Sequence, residues 1–320
     1  MKLEEIGFYT LSDARVKQVA STSPMWRGEI LITDKCNFKC PYCQGIRKDC
    51  AGVLTLDEVK NIIDYWRMTG LKHIRFSGGE PTLHENLIDM VAYAKVKGVE
   101  RIAISTNGSN DIEVYKQLTS VGVNDMSISL DACCSSFGEQ MCGGITGMWE
   151  KVVDNIKELS KLTYVSLGMV FTKDTIRDAV ETIEFGHSLG VSDIRIISAS
   201  QEDQLIEGLG GLADTLKEHP ILNYRINNYL NGRNVRGIRP TDANRCGLVV
   251  DDSAIAGNYH FPCIIYLREK GEPIGKVSAN MRQERMEWSL THDIQKDPIC
   301  REQCLDVCID YNNKYREYHD

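Results

Sequence analysis

Apolar positions in the first two-thirds of the chain alternate between short β-rich runs and stretches at helical spacing. Arg27 to Thr33 (RGEILIT) reads as a strand. Thr55, with Glu58 three residues on, predicts a capped helix start, and Val59, Ile62, Ile63 and Trp66 continue it at helical spacing. Leu71 to Phe76 reads as the second strand, followed by a helix over Asn86 to Lys97. Arg101 to Ser105, Asp125 to Leu130, Tyr164 to Phe171 and Asp193 to Ile197 read as four more strands, separated by helices over 111–121, 147–161 and 174–189. Six strands with helices between them imply parallel pairing through right-handed crossovers. The expected fold class is therefore α/β, a partial (β/α)6 TIM-like barrel followed by a small C-terminal Cys-rich domain. In such barrels function gathers at the C-terminal ends of the strands.

The expected organisation has four parts. Residues 1–26 are polar with weak periodicity and read as an N-terminal arm or short helix. Residues 27–200 form the barrel. Residues 201–240, with glycines at 208, 210 and 211 and an Asn-rich run from Asn227 to Gly232, read as a linker with one or two helices. Residues 241–320 hold Cys246, Cys263, Cys300, Cys304 and Cys308. The stretch between the first two of these cysteines reads as a hairpin. The spacing Cys300-x3-Cys304-x3-Cys308 places three thiols on one face, if that segment is helical. No internal repeat or low-complexity segment is present.

Composition narrows the setting. The chain has 320 residues, 42% hydrophobic and 26% charged, as in ordinary globular proteins. No apolar run approaches the roughly 20 residues needed to span a bilayer, and the N-terminus lacks the order of a signal peptide, so a cytoplasmic protein without membrane partners is expected. A net charge of −8 does not favour nucleic acid as a partner. Arg225, Arg233, Arg236, Arg239 and Arg245 lie close together and read as a local basic funnel or, more simply, as a solvated face beside an acidic partner surface. Twelve cysteines in a chain without an export signal favour reduced thiols and metal ligation over disulfides.

The strongest chemical signal is Cys36-x3-Cys40-x2-Cys43. Three thiolates in so short a loop do not complete a tetrahedral zinc site. They do suffice for three irons of a cubane iron–sulfur cluster, whose fourth iron stays open. With Tyr42 before the last cysteine, this stretch resembles the signature of the radical S-adenosylmethionine (SAM) superfamily. Phe76-Ser77-Gly78-Gly79-Glu80-Pro81 resembles that family's glycine-glycine-glutamate segment. The resemblance implies a SAM-binding 4Fe-4S cluster on Cys36, Cys40 and Cys43, reductive cleavage of SAM to a 5′-deoxyadenosyl radical, and an electron donor of the flavodoxin or ferredoxin type. It further implies that Gly78 and Gly79 admit the methionyl group, that Glu80 positions it, and that Tyr42 lies beside the adenine. Thr106, Asn107, Ser129 and Asp131, at strand ends, are candidates for the ribose and carboxylate, or are plain strand-terminating polar residues. Cys133, Cys134 and Cys142 are candidate hydrogen donors to a substrate radical, or small buried thiols, as Cys50 is expected to be.

The tail resembles the twitch extension of these enzymes, a shortened SPASM domain. This implies one auxiliary 4Fe-4S cluster on Cys246, Cys263 and the 300–308 group. Five thiols exceed the four needed, so Cys304 and Cys308 compete or one is free; a structural zinc site is the alternative. The expected function is hydrogen abstraction from a polar small-molecule substrate, leading to oxidation, epimerisation or rearrangement. Enzymes of this layout resemble sugar-alcohol dehydrogenases of antibiotic pathways, epimerases and the cyclase of molybdopterin assembly. The last likeness is incomplete, because an arginine- and glycine-rich end is not found at Glu317-Tyr318-His319-Asp320. The alternatives are a peptide-modifying maturase, which would need a separate leader-binding partner, and a non-enzymatic iron–sulfur or zinc protein.

Overall fold

The structure, a computed structural model, describes residues 13–199 and 208–319. Parts of the expected arm (1–12) and of the expected linker (201–207) lie outside the described residues. In chain order the elements are α1 (Asp13–Gln18), β1 (Arg27–Thr33), α2 (Leu56–Met68), β2 (His73–Gly78), α3 (Leu87–Val96), β3 (Arg101–Thr106), α4 (Ile112–Val121), β4 (Asp125–Ser129), α5 (Ser135–Met141), α6 (Met148–Ser160), β5 (Val165–Phe171), α7 (Ala179–Ser188) and β6 (Asp193–Ser198). The tail adds α8 (Pro220–Leu230), β7 (Asp252–Ala256), β8 (Tyr259–Phe261), α9 (Ile264–Arg268), β9 (Gly275–Lys276), α10 (Met281–Thr291), α11 (Pro298–Gln303) and α12 (Asp306–His319). The fold is α/β with six β/α units in the expected order. The capping box at the start of α2 is complete: Glu58 N–H donates to Thr55 Oγ1 and Thr55 N–H donates to Glu58.

The chain forms two compact units, and the cut falls within β3. One unit comprises the described residues of 1–35, 44–102 and 236–320. Its strand order is β2-β1-β7-β8-β9. β1 pairs in parallel with β2, with Ile30 opposite Phe76, and with β7, with Ile30 opposite Ile255. Burial on both faces explains why RGEILIT runs apolar rather than alternating. Gly28 is required here, because a Cβ would lie 2.2 Å from the ring of buried Trp66. The expected hairpin is β7–β8, antiparallel with Ile255 opposite His260. Its parallel pairing to β1, more than 200 residues away in sequence, is outside the reach of local pattern reading. Val16 and Val19 pack with Leu248, Val249, Val250 and Tyr311, joining α1 to the tail.

The other unit comprises 36–43 and the described residues of 103–235. The remaining part of β3 and β4, β5 and β6 pair in parallel: Ile104 with Met126, Ile128 with Leu167, and Leu167 with Ile194. Asp193, at the start of β6, is fully buried and accepts from Ile194 N–H and, with both oxygens, from Ile221 N–H at the start of α8. Short α5 was not expected from the pattern. Its Gly138 leaves space for Trp149, whose ring would lie 1.8 Å from a Cβ there.

Two expectations need correction. Cys300, Cys304 and Cys308 do not share one helix face: α11 ends at Gln303, Cys304 turns extended (ψ 131°), and Cys308 lies in α12. The arginine run is not a solvated face throughout, because Arg225 in one unit and Arg236 in the other are buried.

Candidate radical SAM site and tail thiol cluster

The cysteine loop turns at its second half, where Cys43 N–H donates to Cys40 C=O (3.0 Å). Cys36 Sγ accepts from Phe38 N–H. Burial, then Asp131, then the Cys43, Cys36 and Cys142 thiols push the Cys40 thiol up to about 12. Three thiols whose charges oppose one another are a donor set that cations would stabilise, with release of protons on binding. The residues thus fit a metal cluster held by three cysteines. Three side-chain hydrogen bonds fix the loop within its unit. Tyr42 Oη donates to Asp131 Oδ2 (2.6 Å), and Asn107 Nδ2 donates to Asn37 Oδ1 (2.8 Å). The Asn37 amide in turn donates to Ser109 Oγ (2.8 Å).

The Gly78-Gly79-Glu80 segment belongs to the other unit and is stitched to the residues just before the loop. Gly79 N–H donates to Thr33 C=O (2.7 Å) and Glu80 N–H to Lys35 C=O (2.8 Å). A Cβ on Gly79 would stand 2.2 Å from Lys35 O, and one on Gly78 2.2 Å from Thr33 O. Gly78 also has φ +136°, open only to glycine. Both glycines therefore have a reason inside the chain itself: close approach of two backbones. Glu80 is fully buried and accepts from Thr82 N–H (3.0 Å) and Thr82 Oγ1 (2.6 Å), starting the turn at Pro81.

The strand-end candidates differ in what they offer. Thr106 is buried, with its hydroxyl beside Tyr115 Oη (3.1 Å) and accepting from Gly108 N–H. Asn107 uses its oxygen on Ser109 N–H and its amide on Asn37. Ser129 is exposed at the end of β4. Asp131 is buried, accepts from Tyr42 and from Val170 N–H, and is pushed up to about 6 by burial. Cys133 is half-buried, Cys134 exposed and Cys142 buried. Burial, then Asp131, raises Cys142 to about 11, so its thiol shares the neighbourhood of Asp131 and Cys40. Cys50 is buried, as expected.

In the tail the five thiols act on one another electrostatically. Burial is the largest cause of the raised pKa of Cys246 (about 11), and the Cys308 thiol adds to it. Burial and then Cys308 raise Cys263, while burial and then Cys263 and Cys246 raise Cys300. A hydrogen bond with Cys308 is the largest cause for Cys304, ahead of burial. Half-buried thiols are a donor set for soft metal, and five are numerous enough for a fully thiolate-held four-iron cluster; His292 and Asp297 offer ligand atoms within 4.8 Å of that of Cys300. Cys300 also has neighbours of another kind. Its N–H donates to Asp297 Oδ1 (2.9 Å), and Asp297 Oδ2 lies 3.0 Å from His292 Nε2.

No spacing in the sequence marks His260 or Arg285 as functional. The structure buries both beside the hairpin that leads into Cys263. Burial, then Arg285, lowers His260 to about 3, so the ring is neutral. No spacing rule marks a lone arginine inside an exposed-looking helix such as MRQERMEW.

Comparison with known proteins agrees with this geometry. The radical SAM superfamily profile matches residues 30–186. A GTP 3′,8-cyclase of Lactiplantibacillus plantarum is 30% identical over 227 residues, 62% of this chain and 67% of the relative. That of Alkaliphilus metalliredigens is 27% identical over 284 residues, 78% of this chain and 87% of the relative. Coverage varies among such relatives: the match to the Synechococcus elongatus cyclase spans 32% of its length at 37% identity. Among solved structures, anSMEcpe with bound AdoMet superposes with a TM-score of 0.59 at 17% identity, covering 92% of this chain and 93% of the other, a likeness of fold. On these matches the chain belongs to the radical SAM superfamily, whose members work with a 4Fe-4S cluster and SAM.

Proposed function

We propose that this radical SAM enzyme oxidises a polar small molecule, with an auxiliary 4Fe-4S cluster in the tail as electron acceptor. In this reading Cys36, Cys40 and Cys43 hold the SAM-binding cluster within a barrel spanning 27–200. Four of Cys246, Cys263, Cys300, Cys304 and Cys308 hold the auxiliary cluster within 241–320. When bound, the first cluster and SAM supply a 5′-deoxyadenosyl radical able to take hydrogen from an unactivated carbon. The chain's own part is to hold and shield. The Tyr42–Asp131 bond fixes the loop, Asn37 and Asn107 brace it, and the Gly78-Gly79 contact pins its approach.

The observation that carries this reading is the set of five mutually interacting thiols in the tail. A cluster held by three thiolates keeps an open iron on which a substrate can sit; one held by four is closed and suited to electron transfer. Five available thiols favour the closed form, and hence oxidation over substrate ligation. Cys133, Cys134 and Cys142 would be needed as hydrogen donors only if the product were an epimer. The free thiols of the described residues suit work in a reducing compartment.

A second reading, cyclisation of GTP, is favoured by the names of the relatives. The two are separated by anaerobic turnover of the reconstituted chain with dithionite, SAM and either GTP or deuterated polyols and sugar alcohols. Deuterium in 5′-deoxyadenosine with a product lighter by two hydrogens supports oxidation. A GTP-dependent product of unchanged mass supports cyclisation and overturns it.

A further inference from the structure

Arg285 of α10 is fully buried. Its guanidinium donates to the main-chain carbonyls of Val249 (2.8 Å), Phe261 (2.7 Å) and Pro262 (2.9 Å), and to that of Asp252. Val249 lies three residues after Cys246, and Pro262 directly precedes Cys263. One side chain therefore ties together the two backbone segments that present these thiols. Its remaining contact is His260 Nδ1 (3.4 Å), on a ring whose Nε2 lies 2.7 Å from Glu284 Oε2.

Every acceptor of this cation is uncharged. Taking a charge out of water costs several kcal/mol in general, which hydrogen bonds together with a nearby opposite charge offset. The anion that acts most on this cation is the Asp252 carboxylate, which is also 3.3 Å from Arg27 Nε. The thiols of Cys263 and Cys246, once ionised, also stabilise the Arg285 cation, while the neighbouring Arg282 cation opposes it. Four thiolates on a four-iron core leave a net negative charge in the oxidised cluster, and one more when it takes up an electron.

We propose that Arg285 is the counter-charge and positioning residue of the auxiliary cluster: it sets the Cys246 and Cys263 segments in place and, by its buried positive charge, raises the reduction potential of the cluster they hold. This rests on the auxiliary-cluster reading given above. It assigns a purpose to a buried cation that the hydrogen bonds alone leave uncompensated.

The test uses the full chain carrying Cys36→Ala, Cys40→Ala and Cys43→Ala, so that only the tail can hold a cluster, reconstituted anaerobically and titrated under EPR. Iron near zero in this background sinks the auxiliary-cluster reading itself. With about four irons retained, Arg285→Gln and Arg285→Lys decide the inference. At the midpoint of the Arg285 protein, the Gln variant should show a reduced-to-oxidised ratio at least tenfold lower, a shift of 59 mV for a one-electron couple. The Lys variant, which keeps the charge and loses the fork, should stay within threefold. Equal shifts in both would mean a hydrogen-bond hub only, and would overturn the counter-charge role. Asp252→Asn leaves every carbonyl bond of Arg285 in place and covers the case in which the Gln variant does not fold. It should raise the ratio, and an unchanged or lowered ratio contradicts the proposal.

Discussion

Tyr42 Oη donates to Asp131 Oδ2 across 2.6 Å, joining the cysteine loop to the residue just past the end of β4. The carboxylate's other oxygen accepts from Val170 N–H of β5 (2.8 Å). A hydrogen bond to a buried charged group contributes about 1.5–3 kcal/mol, and losing one partner exposes the other to its full desolvation cost. Tyr42→Phe should therefore lower the unfolding free energy of the metal-free chain by about 1–3 kcal/mol at pH 8. Urea midpoints measure this; an unchanged midpoint would show that the loop is not held there.

The contact between Gly79 and Lys35 C=O makes a second prediction. Gly79→Ala puts a methyl group where a backbone carbonyl stands 2.2 Å away. Overpacking of this kind costs about 1–3 kcal/mol, and here the strain falls on the residue directly before Cys36. Iron bound after reconstitution should fall towards the content of the tail alone. Gly211→Ala, with nothing within 4 Å of its Cβ, is the control and should bind iron normally.

Asp193 gives a pH dependence away from any metal site. Burial raises its carboxyl from 3.8 to about 6. Below about pH 4 both folded and unfolded chains hold the proton, and between there and about pH 6 only the folded chain does. The stability that Asp193 contributes is thus full at low pH and is lost as pH rises through this window. Asp193→Asn should gain on the native protein by up to about 3 kcal/mol between pH 4 and pH 6, then run parallel above it. A difference in urea midpoint that stays flat over this window would contradict the assignment.

A smaller effect tests the start of α2. Thr55→Ala removes the cap to Glu58 N–H and should cost about 1 kcal/mol, while Thr55→Ser should cost only a few tenths. Thermal unfolding of the two variants side by side reads the difference.

Local chemistry was legible in the sequence, and long-range pairing was not. The Thr55–Glu58 box, the alternation of strands with helices, and the close spacing of Cys36, Cys40 and Cys43 are all written within a few residues of one another. The parallel pairing of β7 to β1 depends on residues far apart in the chain, and no periodicity records it. Cys300, Cys304 and Cys308 matched a helical repeat, yet the chain turns extended at Cys304 and starts again as α12. Spacing of four fits a helix but does not enforce one. Arg285 was invisible because its partners are four carbonyls supplied by two other segments.

In the proposed function Cys36, Cys40 and Cys43 hold the centre that cleaves SAM, apart from a second centre in the tail. Iron and 5′-deoxyadenosine, measured together on the anaerobically reconstituted chain with dithionite and SAM, test it most directly. The account predicts about eight irons and 5′-deoxyadenosine from the native chain, and about four irons with no 5′-deoxyadenosine once those three cysteines are alanine. SAM cleavage that survives their removal, or a native chain that leaves SAM intact, would contradict it.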